Sequence, residues 1–304
     1  MESITGALGP LFLLILLGPA LGYGRWPNDK FWPQMERLIY FVLFPAMLVE
    51  TLATADVAQV PVSRLACVLL GAMGLFGLLL WRLRRWLQLA PAAFTSVFQG
   101  AIRFNTYVGV AGAAALHGSL GATTAAVAVA LMVPVVNVMC VASFVAVGAL
   151  GSASMGKSMM ALVKNPLILA CLLGIGLNLS GIGLPGWSQD TVALLGRAAL
   201  PLGLVAVGVA LRPAALLRVD RGVLATNSVK LLLMPALVLA LSWVLQLDPV
   251  SRDVALLFAA LPTATSAYIL ARQLGGDAEL MAAIITGQTV LAMLTLPLWL
   301  QLVS

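Results

Sequence analysis

Long apolar segments follow one another along this chain, and they constrain its fold more than any other feature of the sequence. Several of them run for about 18 residues or more, which is the length that a helix needs to cross a bilayer. Only 9% of the 304 residues are charged, whereas soluble proteins carry about a quarter. The sequence therefore predicts an all-α membrane protein, with too little chain between the spans for a soluble domain.

The breaks between the apolar segments divide the chain into ten predicted transmembrane helices. Each break is marked by charged residues, proline or glycine, and one of them is the basic stretch from Arg82 to Arg85. The first segment has no basic residue before it, so it is predicted to be a retained span and not a cleaved signal peptide. The predicted spans are 4–24, 37–54, 63–81, 91–116, 121–148, 165–183, 190–211, 222–246, 252–272 and 278–303.

Basic residues lie mainly in the odd-numbered loops between these spans. Lys and Arg accumulate on the cytoplasmic side of membrane proteins, so both termini are predicted to be periplasmic, in a bacterial inner (plasma) membrane. The net charge of +6 reflects this bias and contact with membrane lipids, and it does not indicate nucleic acid as a partner. The even-numbered loops contain only Arg64 and Arg252. The odd-numbered loops contain Arg25, Lys30, Arg37, Arg82, Arg84, Arg85, Lys157, Lys164, Arg212, Arg218, Arg221 and Arg272.

Helix-breaking features recur along the chain at a nearly constant offset of 156 to 158 residues. The pairs are Pro45 and Pro201, Pro91 and Pro249, and the turns His117-Gly118 and Leu274-Gly275. This offset predicts two halves of five helices each, at 1–150 and 151–304. Five is an odd number, so the second half enters the membrane in the opposite direction. An inverted repeat of this kind is typical of secondary transporters.

Two of the predicted spans contain polar or helix-breaking residues at mid-membrane depth. In inverted-repeat carriers the substrate site lies at such breaks, where free N–H groups and helix N-termini attract anions. The alternative interpretation is an ordinary proline kink beside polar residues that pack between helices. The candidate substrate-binding residues in spans four and nine are Arg103, Asn105, Thr106, Tyr107, Pro262, Thr263, Thr265 and Ser266.

Further polar residues lie within the apolar segments and are candidates for the same site. The guanidinium of Arg103 would pair with a substrate carboxylate, and a buried structural pair is the alternative. Asn137 and Gln288 are predicted to face the crossing as substrate-binding residues, or to form hydrogen bonds between helices. Lys230 and Arg197 would each either line the transport path or extend the side chain to a membrane interface. Lys230 is in addition a candidate for charge compensation as a fixed cation.

Distinctive motifs occur in spans four, six, nine and ten. They are Phe104-Asn105-Thr106, then Lys164-Asn165-Pro166-Leu167-Ile168, and the block from Leu261-Pro262-Thr263-Ala264-Thr265 through Ala271-Arg272-Gln273 to Thr295-Leu296-Pro297. With these motifs the chain resembles the auxin efflux carrier family, which includes plant PIN carriers and bacterial permeases often called malonate transporters.

This resemblance implies a fold similar to that of bile acid:sodium symporters, with broken helices four and nine crossing. Helices 1, 2, 6 and 7 would form a scaffold, and helices 3–5 and 8–10 a mobile core that works by an elevator-like mechanism. The substrates implied are small organic carboxylates, and the assembly implied is a homodimer.

Rival functions are an intramembrane enzyme and a passive anion channel. One histidine cannot supply a His-Glu-x-x-His metalloprotease site or paired haem ligands, and the sequence contains no P-loop for ATP. No catalytic residue, metal ligand or cofactor is therefore predicted. The channel is excluded less well, although paired breaks in an inverted repeat favour a carrier.

Overall fold

The computed structural model describes residues 2–24, 26–28, 30–56, 59–148, 164–217 and 220–303. Throughout these ranges the regular structure is helical, and no strand occurs in them. The predicted all-α class is confirmed. Of the basic loop residues, Arg25, Lys157 and Arg218 lie outside the described residues.

The described residues form thirteen α-helices, numbered here in chain order. They are α1 (Glu2–Tyr23), α2 (Phe31–Leu38), α3 (Phe44–Thr54), α4 (Val62–Leu87), α5 (Pro91–Ile102), α6 (Thr106–Ala146), α7 (Pro166–Leu179), α8 (Gly186–Val209), α9 (Arg221–Ser228), α10 (Met234–Val244), α11 (Pro249–Ala260), α12 (Ser266–Leu274) and α13 (Ala278–Gln301). A 3₁₀ turn at Pro213–Leu217 and two π-helical turns complete the list.

By length and composition, 7 helical stretches in the described part of the chain are able to cross a membrane. One of them, Pro91–Ala146, covers 56 residues, which include predicted span four and predicted span five up to residue 146. The turn predicted inside it is present, because His117 and Gly118 have non-helical backbone angles. α7 is shorter, with 14 residues. The protein is thus a multi-pass membrane protein, and the count of ten and the inverted repeat stay predictions.

The break predicted at Arg82–Arg85 is wrong. Helix α4 continues through these residues to Leu87, with Arg84 and Arg85 in its last turn. Arginine is a good helix former, and a cation near the C-terminus of a helix interacts favourably with its dipole. Basic residues are expected near the membrane surface, and in α4 they do not mark the end of the helix.

A proline follows each of the two π-helical turns. Pro45 follows Ile39–Leu43, and Pro235 follows Val229–Leu233. Proline has no N–H, and its ring clashes with the carbonyl four residues earlier, so the helix widens locally before it. For Pro235 that carbonyl belongs to Leu231, and it accepts a hydrogen bond of 2.8 Å from the indole N–H of Trp299. A side chain of α13 thereby satisfies a group that proline leaves without its helical partner.

The chain divides into two compact units. The first comprises the described residues of Met1–Val62, Thr106–Val133 and Val163–Ala210. Within it, α1 packs against α8, and α3 packs against α7 and α8. Glycines allow the close approach: a Cβ on Gly208 of α8 would clash with the carbonyl oxygen of Ile15 in α1. Small residues at helix contacts are typical of membrane proteins, where close van der Waals packing drives association.

Replacing Gly208 with alanine is expected to lower the melting temperature of the purified protein. The added methyl group has no room against α1, and overpacking of this kind costs about 1–3 kcal/mol. Gly176→Ala in α7 is the matched control, because nothing lies within 4 Å of a Cβ built there. The control is expected to melt at the same temperature as the unaltered protein or higher. If Gly208→Ala and Gly176→Ala have the same melting temperature, the close contact between α1 and α8 is contradicted.

The second unit comprises the described residues of Ser63–Asn105, Pro134–Leu162 and Leu211–Ser304. Helices α5, α9 and α13 pack together in it around Val97, Val223 and Ile284. The division into two repeats, and that into a scaffold and a core, stay predictions. The second unit contains both of the helix breaks in which the candidate site is sought.

Candidate functional site

The first break interrupts the predicted fourth span at residues 103–105. Helix α5 ends at Ile102, and Arg103 adopts extended backbone angles, although its N–H still closes the last turn on the carbonyl of Gln99. Arg103, Phe104 and Asn105 are all buried. Asn105 lies beyond the last turn of α5, so its backbone N–H points away from that helix's hydrogen-bond ladder and donates to another segment.

The second break interrupts the predicted ninth span. Helix α11 ends at Ala260, Leu261 is extended, and α12 begins at Ser266. Pro262 explains this geometry, because proline disfavours helical angles in the residue before it and has no N–H for the helix. Pro262 and Thr263 are buried, whereas Thr265 and Ser266 are half-buried at the start of α12.

The two breaks contact each other within the second unit. The backbone N–H of Asn105 donates to the carbonyl of Pro262 over 2.8 Å, and the hydroxyl of Thr263 donates to the carbonyl of Gly100, also over 2.8 Å. The rings of Phe104 and Phe258 pack beside these bonds with centroids 5.5 Å apart. Each break thus satisfies polar backbone groups that the other leaves without helical partners.

Gln288 of α13 holds the second break in place. Its side-chain oxygen accepts the backbone N–H of Thr263 over 2.8 Å, and its Nε2 donates to the carbonyl of Gly100 over 3.0 Å. The side chain is fully buried. The geometry therefore gives Gln288 a positioning role at the crossing, and direct contact with a substrate stays a prediction.

Replacing Gln288 with leucine is expected to lower the melting temperature without any ligand present. The substitution leaves the buried N–H of Thr263 without its acceptor, which costs about 1–3 kcal/mol. Gln273→Leu, at an exposed position of α12, is the matched control and is expected to melt normally. If the Gln288→Leu variant and the control have the same melting temperature, the hydrogen bonds to Thr263 and Gly100 do not stabilise the crossing.

Arg103 is 8% exposed and is held by two neutral side chains. Its guanidinium donates to the Oε1 of Gln99 over 3.3 Å and to the Oδ1 of Asn137 in α6. Among the described residues it forms no ion pair, so the alternative of a buried structural pair with an acid is not seen there. Neutral acceptors orient the guanidinium and leave its charge available to an anion.

Gln99 is a site residue that the sequence analysis missed. It lies one helical turn before Arg103 on α5 and is fully buried, and its Nε2 has no hydrogen-bond partner. A buried amide donor without a partner costs free energy, so its presence beside Arg103 indicates a missing acceptor. The spacing of four residues from a mid-membrane arginine is the signal that could have identified it.

Lys230 lies in the π-helical turn between α9 and α10 and is 1% exposed. It donates no hydrogen bond to the part of the chain that the structure describes. A lysine whose head group reaches an interface would be more exposed, so the structure does not support that interpretation of Lys230. Arg197, in contrast, is exposed on α8.

The remaining candidates belong to the first unit. Thr106 begins α6, and the ring of Tyr107 packs edge-on against Phe44, with centroids 4.8 Å apart. Tyr107 also covers Gly203, where a Cβ would lie 3.0 Å from the ring. Their substrate-binding roles stay predictions. The candidates that the structure brings together in the second unit are Arg103, Asn105, Asn137, Pro262, Thr263 and Gln288.

Comparison with known proteins finds similarity to transporters. Residues 151–300 match a family described as "Membrane transport protein". A "Putative malonate transporter" of Rhizobium meliloti (strain 1021) is 32% identical over 317 residues, which cover 97% of this chain and 94% of that protein. An "Uncharacterized transporter" of Methanothermobacter thermautotrophicus (strain Delta H) is 25% identical over 304 residues, covering 95% of each chain.

Proposed function

The chain belongs to the membrane transport protein family, the auxin efflux carrier family that its motifs resemble, and on this premise we propose that it carries small organic carboxylates. Transport would cross the bacterial inner membrane by alternating access, in an elevator-like motion of a homodimer. The site proposed for the carboxylate is the crossing of the two helix breaks, with Arg103 as its principal contact.

The observation that carries this proposal is a buried guanidinium with only neutral partners. Moving an arginine to the centre of a membrane helix costs about 2.5–3.5 kcal/mol on insertion scales. The amides of Gln99 and Asn137 orient Arg103 without neutralising it. A carboxylate would supply the missing charge and accept two parallel N–H bonds from the guanidinium.

Two further findings support a carboxylate carrier. The relative from Rhizobium meliloti carries malonate in its name, and malonate is a small organic carboxylate. Both helix breaks also lie in one compact unit. A unit that contains most of the proposed contacts to a ligand is suited to move with that ligand bound, as an elevator-like mechanism requires.

A counterflow experiment separates this proposal from a passive anion channel. Proteoliposomes are loaded with unlabelled malonate and diluted into a trace of labelled malonate, with the membrane potential collapsed. A carrier exchanges the two and accumulates label transiently above its external concentration, whereas a channel only equilibrates it. Protein-free liposomes provide the control. Equilibration without an overshoot would support the channel and overturn alternating access.

A further inference from the structure

Two cations are buried in the second unit, and no acid is buried with them. Of the charged residues that the structure describes, only Arg103 and Lys230 belong to the buried class. The acids that the structure describes in this unit have other positions: Asp220, Asp248 and Asp277 cap helix N-termini, Asp253 lies beside Arg252, and Glu279 is exposed. Buried charges are normally paired, so this arrangement lacks up to two negative charges.

The packing of α5 against α9 places Lys230 level with the first helix break. A Cβ on Gly222 would lie 3.2 Å from Val97, and one on Gly100 would lie 2.6 Å from Thr226. These contacts show that the two helices run side by side in the same direction. From Gly100, three residues lead to Arg103 at the end of α5, a rise of about 4.5 Å, and from Thr226, four residues lead to Lys230, a rise of about 6 Å.

The donors near Arg103 are not all used. Two of the guanidinium nitrogens donate to Gln99 and Asn137, and a guanidinium has five N–H groups. The Nε2 of Gln99 is buried without a partner. Together they would bind one carboxylate, and the ammonium of Lys230 would be left for a second.

We propose that the site selects dianionic dicarboxylates, with one carboxylate bound by Arg103 and Gln99 and the other by Lys230. This inference rests on the proposed function and adds the charge of the substrate to it. A dianion neutralises both buried cations, whereas a monoanion leaves Lys230 without a counter-charge. The site therefore distinguishes substrates by the second carboxylate.

Malonate and its monomethyl ester are the matched probes, because the ester removes one charge and keeps the carbon chain. Binding to the purified full-length protein is measured calorimetrically at a pH where both carboxyl groups of malonate are ionised. Malonate is expected to bind at least about tenfold more tightly than the ester. Equal affinities would overturn the inference and leave the proposed function standing, whereas binding of neither probe would overturn both.

Variants of Lys230 then assign the second carboxylate. Lys230→Met is expected to reduce the affinity for malonate to that of the ester and to leave the affinity for the ester unchanged. Lys230→Arg keeps the charge and is expected to retain the preference. Arg272→Met removes an exposed cation from the same unit and is the control for general electrostatics.

A preference for malonate over the ester that persists in Lys230→Met, or disappears in Arg272→Met, would overturn the role of Lys230. If Lys230→Met does not fold, the comparison of the two probes in the unaltered protein still decides the inference.

Discussion

Replacing Arg103 with alanine is expected to weaken the binding of malonate by about tenfold or more. Charge-assisted hydrogen bonds contribute about 1.5–3 kcal/mol each, and about 1.4 kcal/mol corresponds to one decade in Kd. The guanidinium is already oriented by Gln99 and Asn137, so it loses little freedom when an anion binds. Isothermal titration calorimetry of the purified protein measures the change in Kd.

Two further variants separate binding from folding. Arg103→Lys keeps the charge but loses the bidentate fork, and we expect it to recover only part of the affinity. Arg197→Ala removes an exposed arginine from α8 and is expected to bind malonate normally. Melting temperature and Kd are measured on the same preparations. If Arg103→Ala melts far lower yet binds malonate normally, Arg103 is a structural residue and the assignment of the site is wrong.

A reporter fused after Ser304 is expected to give an all-or-none result. Ten spans with a periplasmic N-terminus place the C-terminus in the periplasm as well. Alkaline phosphatase, which folds only in the periplasm, is therefore expected to be active at this position, and green fluorescent protein to be dark. Enzyme activity and fluorescence of the two fusions in whole cells are the measurements.

The same pair of reporters fused after Gln88 provides the internal control. This position follows Arg84 and Arg85 at the end of α4, where basic residues predict the cytoplasmic side. The expected pattern is the reverse, with green fluorescent protein bright and alkaline phosphatase inactive. If fusions at both positions report the same side, the chain crosses the membrane an even number of times between them, and the predicted inverted repeat fails.

Local composition was sufficient to predict the membrane location, the helical class and the two helix breaks. The length of an apolar segment is enough to predict that it enters a bilayer. It enters as a helix, because in lipid each backbone polar group must be hydrogen-bonded within the same segment. The break at 262 was predictable because proline acts on its immediate neighbours. The break at 103–105 was predictable because a charged and an amide side chain within an apolar run are costly unless they serve a site. The effects of proline and of buried polar side chains act over a few residues, so the sequence is enough to predict them.

Only the tertiary structure decided which groups satisfy those breaks. Gln288 lies 25 residues from Thr263 and 188 from Gly100, yet its amide bonds to both. Asn137 lies 34 residues from Arg103. Gln99 was overlooked because a glutamine on an apolar helix is unremarkable until its neighbours and its unpartnered Nε2 are seen. The sequence also predicted a break at Arg82–Arg85, where helix α4 continues. Hydrogen bonds between distant segments depend on how helices pack, and residue types and spacing along the chain do not determine that packing.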